Sequence, residues 1–297
     1  MDTYSLLTCR ASGGSECRLK CLYSFCVFIA LLMTFRPFAS MAQVAVCSPH
    51  VEPLHIVLLG DSNTALGGDH CDLPKGWSRW FVERVRPTSC RSYARSGATW
   101  TNTPKTKVNT TENIGRIGDD NVIFNQIHRL IKAYEGQLQP YPDVVIVAAG
   151  TNDVWFGKYR PDAFGRSVEE AFVPDDGAMT ERRASEVVSL TESVRYGCLL
   201  LRKHFPKALL IVLTPLQTTA VEGDGIERAG DLIEGVALRM GMPVVRQDKV
   251  CVVSSKSEAK KRLYTYDGTH TSPLGARKNG EILADLIRPM IDKHLGR

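Results

Sequence analysis

The chain has 297 residues, of which 43% are hydrophobic and 23% charged. This is ordinary globular usage, and it excludes intrinsic disorder, collagen-like repeats and coiled coil as descriptions of the whole. The formal charge of +5, from 37 basic against 32 acidic residues, is too mild and too scattered to name nucleic acid or a membrane surface as partner.

The first 42 residues read as a targeting segment. Arg18 and Lys20 precede an apolar run, Cys21 to Phe35, of about 15 residues, short of the roughly 20 needed to span a bilayer. The run ends at Arg36 and Pro37, and small residues at Ser40 and Ala42 offer a cleavage site before Gln43. The expectation is a signal peptide over residues 1–42, export to the periplasm or the cell exterior, and no stable membrane insertion after cleavage. A signal anchor, or a lipoprotein at Cys47, is the lesser reading. Removing the segment leaves 33 basic against 30 acidic residues and five cysteines: Cys47, Cys71, Cys90, Cys198 and Cys251. Five is an odd count for an oxidising compartment. Cys71 and Cys90 flank a predicted helix and are a candidate pair, although spacing alone does not assign the pairing. No cysteines have zinc-finger spacing and the histidines do not cluster with them, so neither a metal nor another cofactor is expected.

From residue 54 onward, short apolar strands alternate with amphipathic helices. The strand His55–Gly60 is followed by a helix over Trp77–Arg86, a strand near Arg91–Ala94 and a helix over Val122–Leu138. A strand at Asp143–Ala149, a helix over Thr180–His204, a strand at Ala208–Thr214, a helix over Gly225–Met240 and a strand near Pro243–Arg246 complete the alternation. The final helix is the best specified: Ser272 can cap it, Pro273 suits its first turn, and Ile282, Leu283, Leu286, Ile287, Met290 and Ile291 recur at helical spacing. Continuous apolar strands imply burial on both faces. The pattern predicts one domain over residues 43–297, a three-layer α/β/α sandwich with a mostly parallel, flavodoxin-like sheet. Two polar insertions, 101–121 and 154–179, are long enough to be functional rims or solvated excursions. Asn109-Thr110-Thr111 matches a glycosylation sequon, which matters only in a eukaryotic secretory pathway.

Ligands of such sheets bind at the carboxyl ends of the strands, and three strands deliver polar turns there. These are Gly60-Asp61-Ser62-Asn63-Thr64, Ser96-Gly97-Ala98 and Gly150-Thr151-Asn152-Asp153. Asp267-Gly268-Thr269-His270 stands just before the final helix. A serine hydroxyl is a poor nucleophile at neutral pH; it needs a neutral imidazole to take its proton and a carboxylate to hold the imidazole in the right tautomer. One loop carrying Asp267 and His270 can supply both.

In order and approximate spacing, these four segments resemble the sequence blocks of the SGNH hydrolases, also called GDSL-type esterases. The resemblance runs from about residue 54 to 295. It implies that Ser62 is the nucleophile, His270 the general base and then acid, and Asp267 the residue that orients His270. It also implies an oxyanion hole made by the backbone NH groups of Ser62 and Gly97 and the side-chain amide of Asn152. Gly97 lets backbone approach the substrate, and Asn152 offers an uncharged donor. Asp61 and Asp153 are expected to brace their turns. Asn63 departs from the commonest family form, which has an aliphatic residue there, and the departure bears on the subfamily rather than on the chemistry.

The favoured substrate is a small acyl group, acetyl above all, on carbohydrate. That choice rests on export, on the polar insertions, and on Trp100 and Trp155, which stand just beyond two motif turns and are the candidate sugar-stacking residues. A lysophospholipase or lipase, expected to show an apolar lid, and a secreted non-catalytic binding protein on the same scaffold are the alternatives. A phosphate-binding loop is excluded, since no Gly-x-x-x-x-Gly-Lys-Ser/Thr run is present.

Overall fold

The computed structural model describes residues 52–112 and 114–297. The predicted leader, its cleavage site and Cys47 lie outside the described residues. Five strands, β1 (His55–Gly60), β2 (Ser89–Ser92), β3 (Val144–Ala148), β4 (Leu209–Leu213) and β5 (Val244–Val245), form one sheet in the order β2-β1-β3-β4-β5. Every pairing is parallel, with Ile56 opposite Val144 and Val144 opposite Leu209.

Side chains alternate across a strand, and here each set has its own core. Val57, Leu59, Val145, Val147 and Val212 face the helices Ile123–Glu135, Leu190–His204 and Gly225–Arg239. Ile56, Leu58, Val144, Ile146, Ile211 and Leu213 face Trp77–Val85 and the C-terminal helix Pro273–His294. The result is the predicted three-layer sandwich. Ser272 caps the C-terminal helix by accepting from Gly275 N, with Pro273 in its first turn. That helix approaches Trp77–Val85 closely at Gly280, where a Cβ would lie 2.4 Å from the Trp77 carbonyl oxygen.

Several boundaries differ from expectation, and the helix expected to run to Leu138 ends at Glu135. The second strand begins at Ser89 and ends at Ser92, so Tyr93 and Ala94 already belong to the turn beyond it. The helix expected from Thr180 begins only at Leu190, because Ser189 caps it by accepting from Glu192 N. The preceding residues form a separate short helix, Asp176–Glu181, with its own cap at Asp175.

Neither insertion is a loose excursion. In the first, Thr103 and Thr106 bond Asp119, and Asn125 bonds the carbonyls of Lys107 and Asp120. In the second, buried Arg195 donates to the carbonyls of Ala171 and Pro174 and to Asp176. Cys71 and Cys90 face each other as thiols, Sγ to Sγ 3.3 Å.

β1 and β3 are neighbours, yet the chain leaves β1 toward β2 on the other side. The carboxyl ends of β1 and β3 therefore flank the point where strand order reverses, the usual crevice for ligands in an open parallel sheet.

Candidate active site

The turn after β1 is held from three sides. Gln126 closes both polar groups of Gly60, accepting from its N–H at 2.7 Å and donating to its carbonyl at 2.8 Å. Asp61 caps the short helix Ser62–Ala65 by accepting from Asn63 N at 3.1 Å. The Asn63 side chain donates to Thr269 O at 3.1 Å and accepts from Thr271 N at 3.2 Å, bracketing His270 on both sides. The residue that follows Ser62 thus ties the Ser62 turn to the His270 loop. Its amide partners lie more than 200 positions away, and for that reason reading along the chain misses this role.

The loop carrying His270 is organised by Glu258, whose carboxylate accepts from the backbone N–H groups of Tyr264 and Thr265. Burial opposes ionisation of Glu258, but the Thr265 hydroxyl and the backbone N–H groups of Tyr264, Leu263 and Thr265 together outweigh it and hold the carboxyl below its ordinary range. Asp267 then accepts from Thr269 N and His270 N, and from His270 Nδ1 at 2.6 Å. Burial again works against the charge, and the hydrogen bonds from the His270 backbone and ring overcome it, so Asp267 stays ionised more readily than a free aspartate. His270 Nε2 lies 2.9 Å from Ser62 Oγ. An Nδ1–H donated to Asp267 leaves Nε2 as the lone-pair nitrogen facing the hydroxyl, the arrangement general-base removal of the serine proton needs.

Ser62, Gly97, Asn152 and His270 line one cavity of about 180 Å³. Gly97 has φ +82, and a Cβ there would lie 2.3 Å from the carbonyl oxygen of Arg116, so both conformation and space require glycine. Asn152 Nδ2 donates one hydrogen to Ala98 O at 2.9 Å, which orients the amide and leaves its second hydrogen without a partner among the described residues.

Asp61 and Asp153, next to Ser62 and Asn152 in the chain, are both buried. Asp153 accepts from Trp100 N at 3.0 Å and Thr101 N at 2.9 Å, and burial raises its pKa. Burial pushes Asp61 up to about 7, against the opposing pull of Asn63 N and His270. The expectation that both brace turns agrees with these contacts.

The two tryptophans separate. Trp155 is 41% exposed and lines the cavity, as sugar stacking would need. Trp100 is 1% exposed, so its assignment as a substrate contact is corrected: Asp153 holds its backbone, and its ring packs against Gly197 and the core behind the sheet. The insertions are also less polar at this edge than their composition suggested, since Ile117 from the first and Trp155 and Phe156 from the second line the cavity. Among the described residues no cluster of metal-ligating side chains occurs.

A model of the GDSL-like lipase/acylhydrolase family matches residues 58–278, which contain all four motif segments. The chain belongs to this family and is an ester hydrolase. Among solved structures it is similar to a candidate GDSL-like lipase from Bacteroides ovatus, at 15% identity, covering 80% of this chain and 99% of that one with a TM-score of 0.52. It is similar also to a possible lipase from Chitinophaga pinensis (16% identity, 80% and 98% covered, TM-score 0.50) and to an acetyl xylan esterase (14%, 79% and 100%, 0.50). At such identities the likeness is one of fold. None of the curated proteins compared with the chain matches it.

Proposed function

We propose that the protein is an exported serine esterase that removes short acyl groups, acetyl above all, from carbohydrate. The observation that carries the reading is the continuous series Ser62 Oγ, His270 Nε2, His270 Nδ1 and Asp267 Oδ2, with contacts of 2.9 and 2.6 Å, at the edge of a cavity.

In the first step His270 Nε2 takes the Ser62 hydroxyl proton while Oγ bonds to the ester carbonyl carbon. The carbonyl oxygen becomes an oxyanion, met by the N–H groups of Ser62 and Gly97 and by the unspent hydrogen of Asn152. Asp267 stabilises the imidazolium without taking its proton. The carbon–oxygen bond to the alcohol then breaks, and His270 gives its proton to the departing oxygen. Water enters, loses a proton to His270 and attacks the acyl-enzyme; collapse releases the acid and returns the proton to Ser62.

A short acyl group suits a cavity of about 180 Å³, below the roughly 300 Å³ at which drug-sized ligands are usually enclosed. The exposed face of Trp155 supports a sugar on the alcohol side. Ile117 and Phe156 favour a second reading, an ester with a longer apolar chain laid along the rim. Export rests on the leader-like segment before residue 43.

The test is hydrolysis of p-nitrophenyl esters from acetyl to long acyl chains by the wild type and Ser62→Ala. The expected result is a maximum at acetyl to butyryl and a loss of turnover of about 10⁴-fold or more in the variant. Equal turnover by the two proteins would sink the serine mechanism, and a maximum at long chains would select the second reading. Signal-peptide cleavage is checked by N-terminal sequencing of the exported protein.

A further inference from the structure

Arg116 stands in the wall of the same cavity as Ser62, Gly97, Asn152 and His270. Its backbone is held by the Asn121 amide, which donates to Arg116 O at 3.0 Å and Ser96 O at 2.8 Å. Its stem lies against Gly97, where a Cβ would come within 2.5 Å of Arg116 Cγ. The missing side chain at Gly97 therefore makes room for Arg116 as well as for a substrate.

Arg116 is the one arginine or lysine among the described residues that line this cavity, and it has no partner there. Among the described residues its guanidinium makes no ion pair and donates no hydrogen bond, whereas nearby Arg95 is paired with both Asp69 and Glu112. The carboxylates of the site are already committed: Asp267 to His270, Asp61 and Asp153 to buried N–H groups. A second cation adds to the imbalance. Tyr266 stacks on His270, with ring centres 5.6 Å apart, and Lys75 Nζ lies 6.0 Å from the centre of the Tyr266 ring. Arg116 and His270 line the same cavity, and while burial and Asp267 push the Tyr266 hydroxyl up, Arg116 pulls it the other way.

His270 protonates the departing alcohol, so the alcohol part of the ester lies on its side. We propose that Arg116 determines specificity by binding an anionic group, carboxylate or phosphate, on the alcohol part of the ester, so that the preferred substrates are acylated acidic carbohydrates. An arginine fork suits either group because both present paired oxygens. This assignment rests on the serine-esterase reading above.

The test compares acetate release from an acetylated oligogalacturonate, an acetylated sugar phosphate and an acetylated xylo-oligosaccharide by the wild type, Arg116→Ala, Arg116→Lys and Arg116→Glu. The readout is the ratio of kcat/KM for each anionic substrate to that for the neutral one. The wild type is expected to favour at least one anionic substrate, and the two anionic substrates distinguish carboxylate from phosphate. Arg116→Ala should lower that ratio about 10- to 100-fold, the scale of a charge-assisted hydrogen bond. Arg116→Lys should keep only part of it, Arg116→Glu should invert it, and added salt should erode it in the wild type. A ratio unaltered in Arg116→Ala would overturn the proposal. An equal loss on all three substrates would do the same, assigning Arg116 to packing on Gly97 alone. Acetate release that persists in Ser62→Ala, or no release by the wild type from any ester, would instead overturn the esterase reading and this proposal with it.

Discussion

Two cavities open at opposite edges of the sheet. The one of about 580 Å³ touches Leu54 and Thr88, at the amino ends of β1 and β2, and lies between the helix Trp77–Val85 and the C-terminal helix. The one of about 180 Å³ holds Ser62 and His270 at the carboxyl ends. The larger is richer in charge, and part of that charge is matched: Arg277 pairs with Glu281, Arg288 with Asp292, and Arg84 with Asp285 just beside it, while Arg86 in its lining makes no ion pair among the described residues. In the smaller, hydrogen bonds organise the groups into a series that ends at a hydroxyl. Size and charge content do not mark the chemistry here; an ordered hydrogen-bond series ending at a hydroxyl at the strand ends does.

Substitutions can break this contrast or sharpen it. The largest expected effect comes from buried Asp61, next to Ser62 in the chain. Its carboxyl is raised from 3.8 to about 7, so between those pH values the folded protein holds a proton that the unfolded chain has lost. Stability therefore declines as pH rises from about 4 to about 7 and is level above. Asp61→Asn keeps an acceptor for Asn63 N and removes the titration. Relative to wild type, the variant should gain up to roughly 4 kcal/mol between pH 4 and pH 8, measured by denaturant unfolding. A difference that does not vary with pH would show that Asp61 carries no such burden.

Next comes Asn152→Ala, which removes one donor of the proposed oxyanion hole and should lower kcat about 10²- to 10³-fold with little change in KM. Asn63→Leu restores the aliphatic residue common in the family and cuts the bridge to the His270 loop. A roughly 10- to 100-fold loss in kcat is expected, the scale of a misplacement near 1 Å; full activity would mean that the loop holds itself. At the other edge, Arg288→Ala should leave stability within about 0.5 kcal/mol and activity unaltered, because its pair with Asp292 is solvent-exposed. An activity loss there would give the larger cavity a role that its place at the amino ends of the strands argues against.

Much of this contrast is legible in the sequence, because local pattern dictates it. Continuous apolar runs mark β1, β3 and β4, and polar turns after the strands mark the edge where Ser62 and Asn152 stand. Asp267 and His270 share one loop, so a single local fold brings their side chains together. What local pattern cannot show is which side a residue faces once distant segments close over it. Trp100 and Trp155 occupy equivalent places after their turns, yet the Asp153 carboxylate draws the backbone at Trp100 inward and leaves Trp155 at the rim. Asn63 and Arg116 escape for the same reason: one finds its partners on the far loop, and the other matters through having none. The helix from Leu190 was predicted too long because Asp175 and Ser189, each able to start a helix, stand within one polar stretch.

The facing thiols of Cys71 and Cys90 give the molecule a redox history. Exchange with a disulfide oxidant would remove one hydrogen from each sulfur and close a covalent ring around the helix Trp77–Val85, tethering edge strand β2 to the loop that follows Ser62. Ring closure of this length is worth about 3 kcal/mol, chiefly through the unfolded chain. Preparations from oxidising and reducing hosts should therefore differ by two hydrogens in mass and by several degrees in Tm, and Cys90→Ser should abolish both differences.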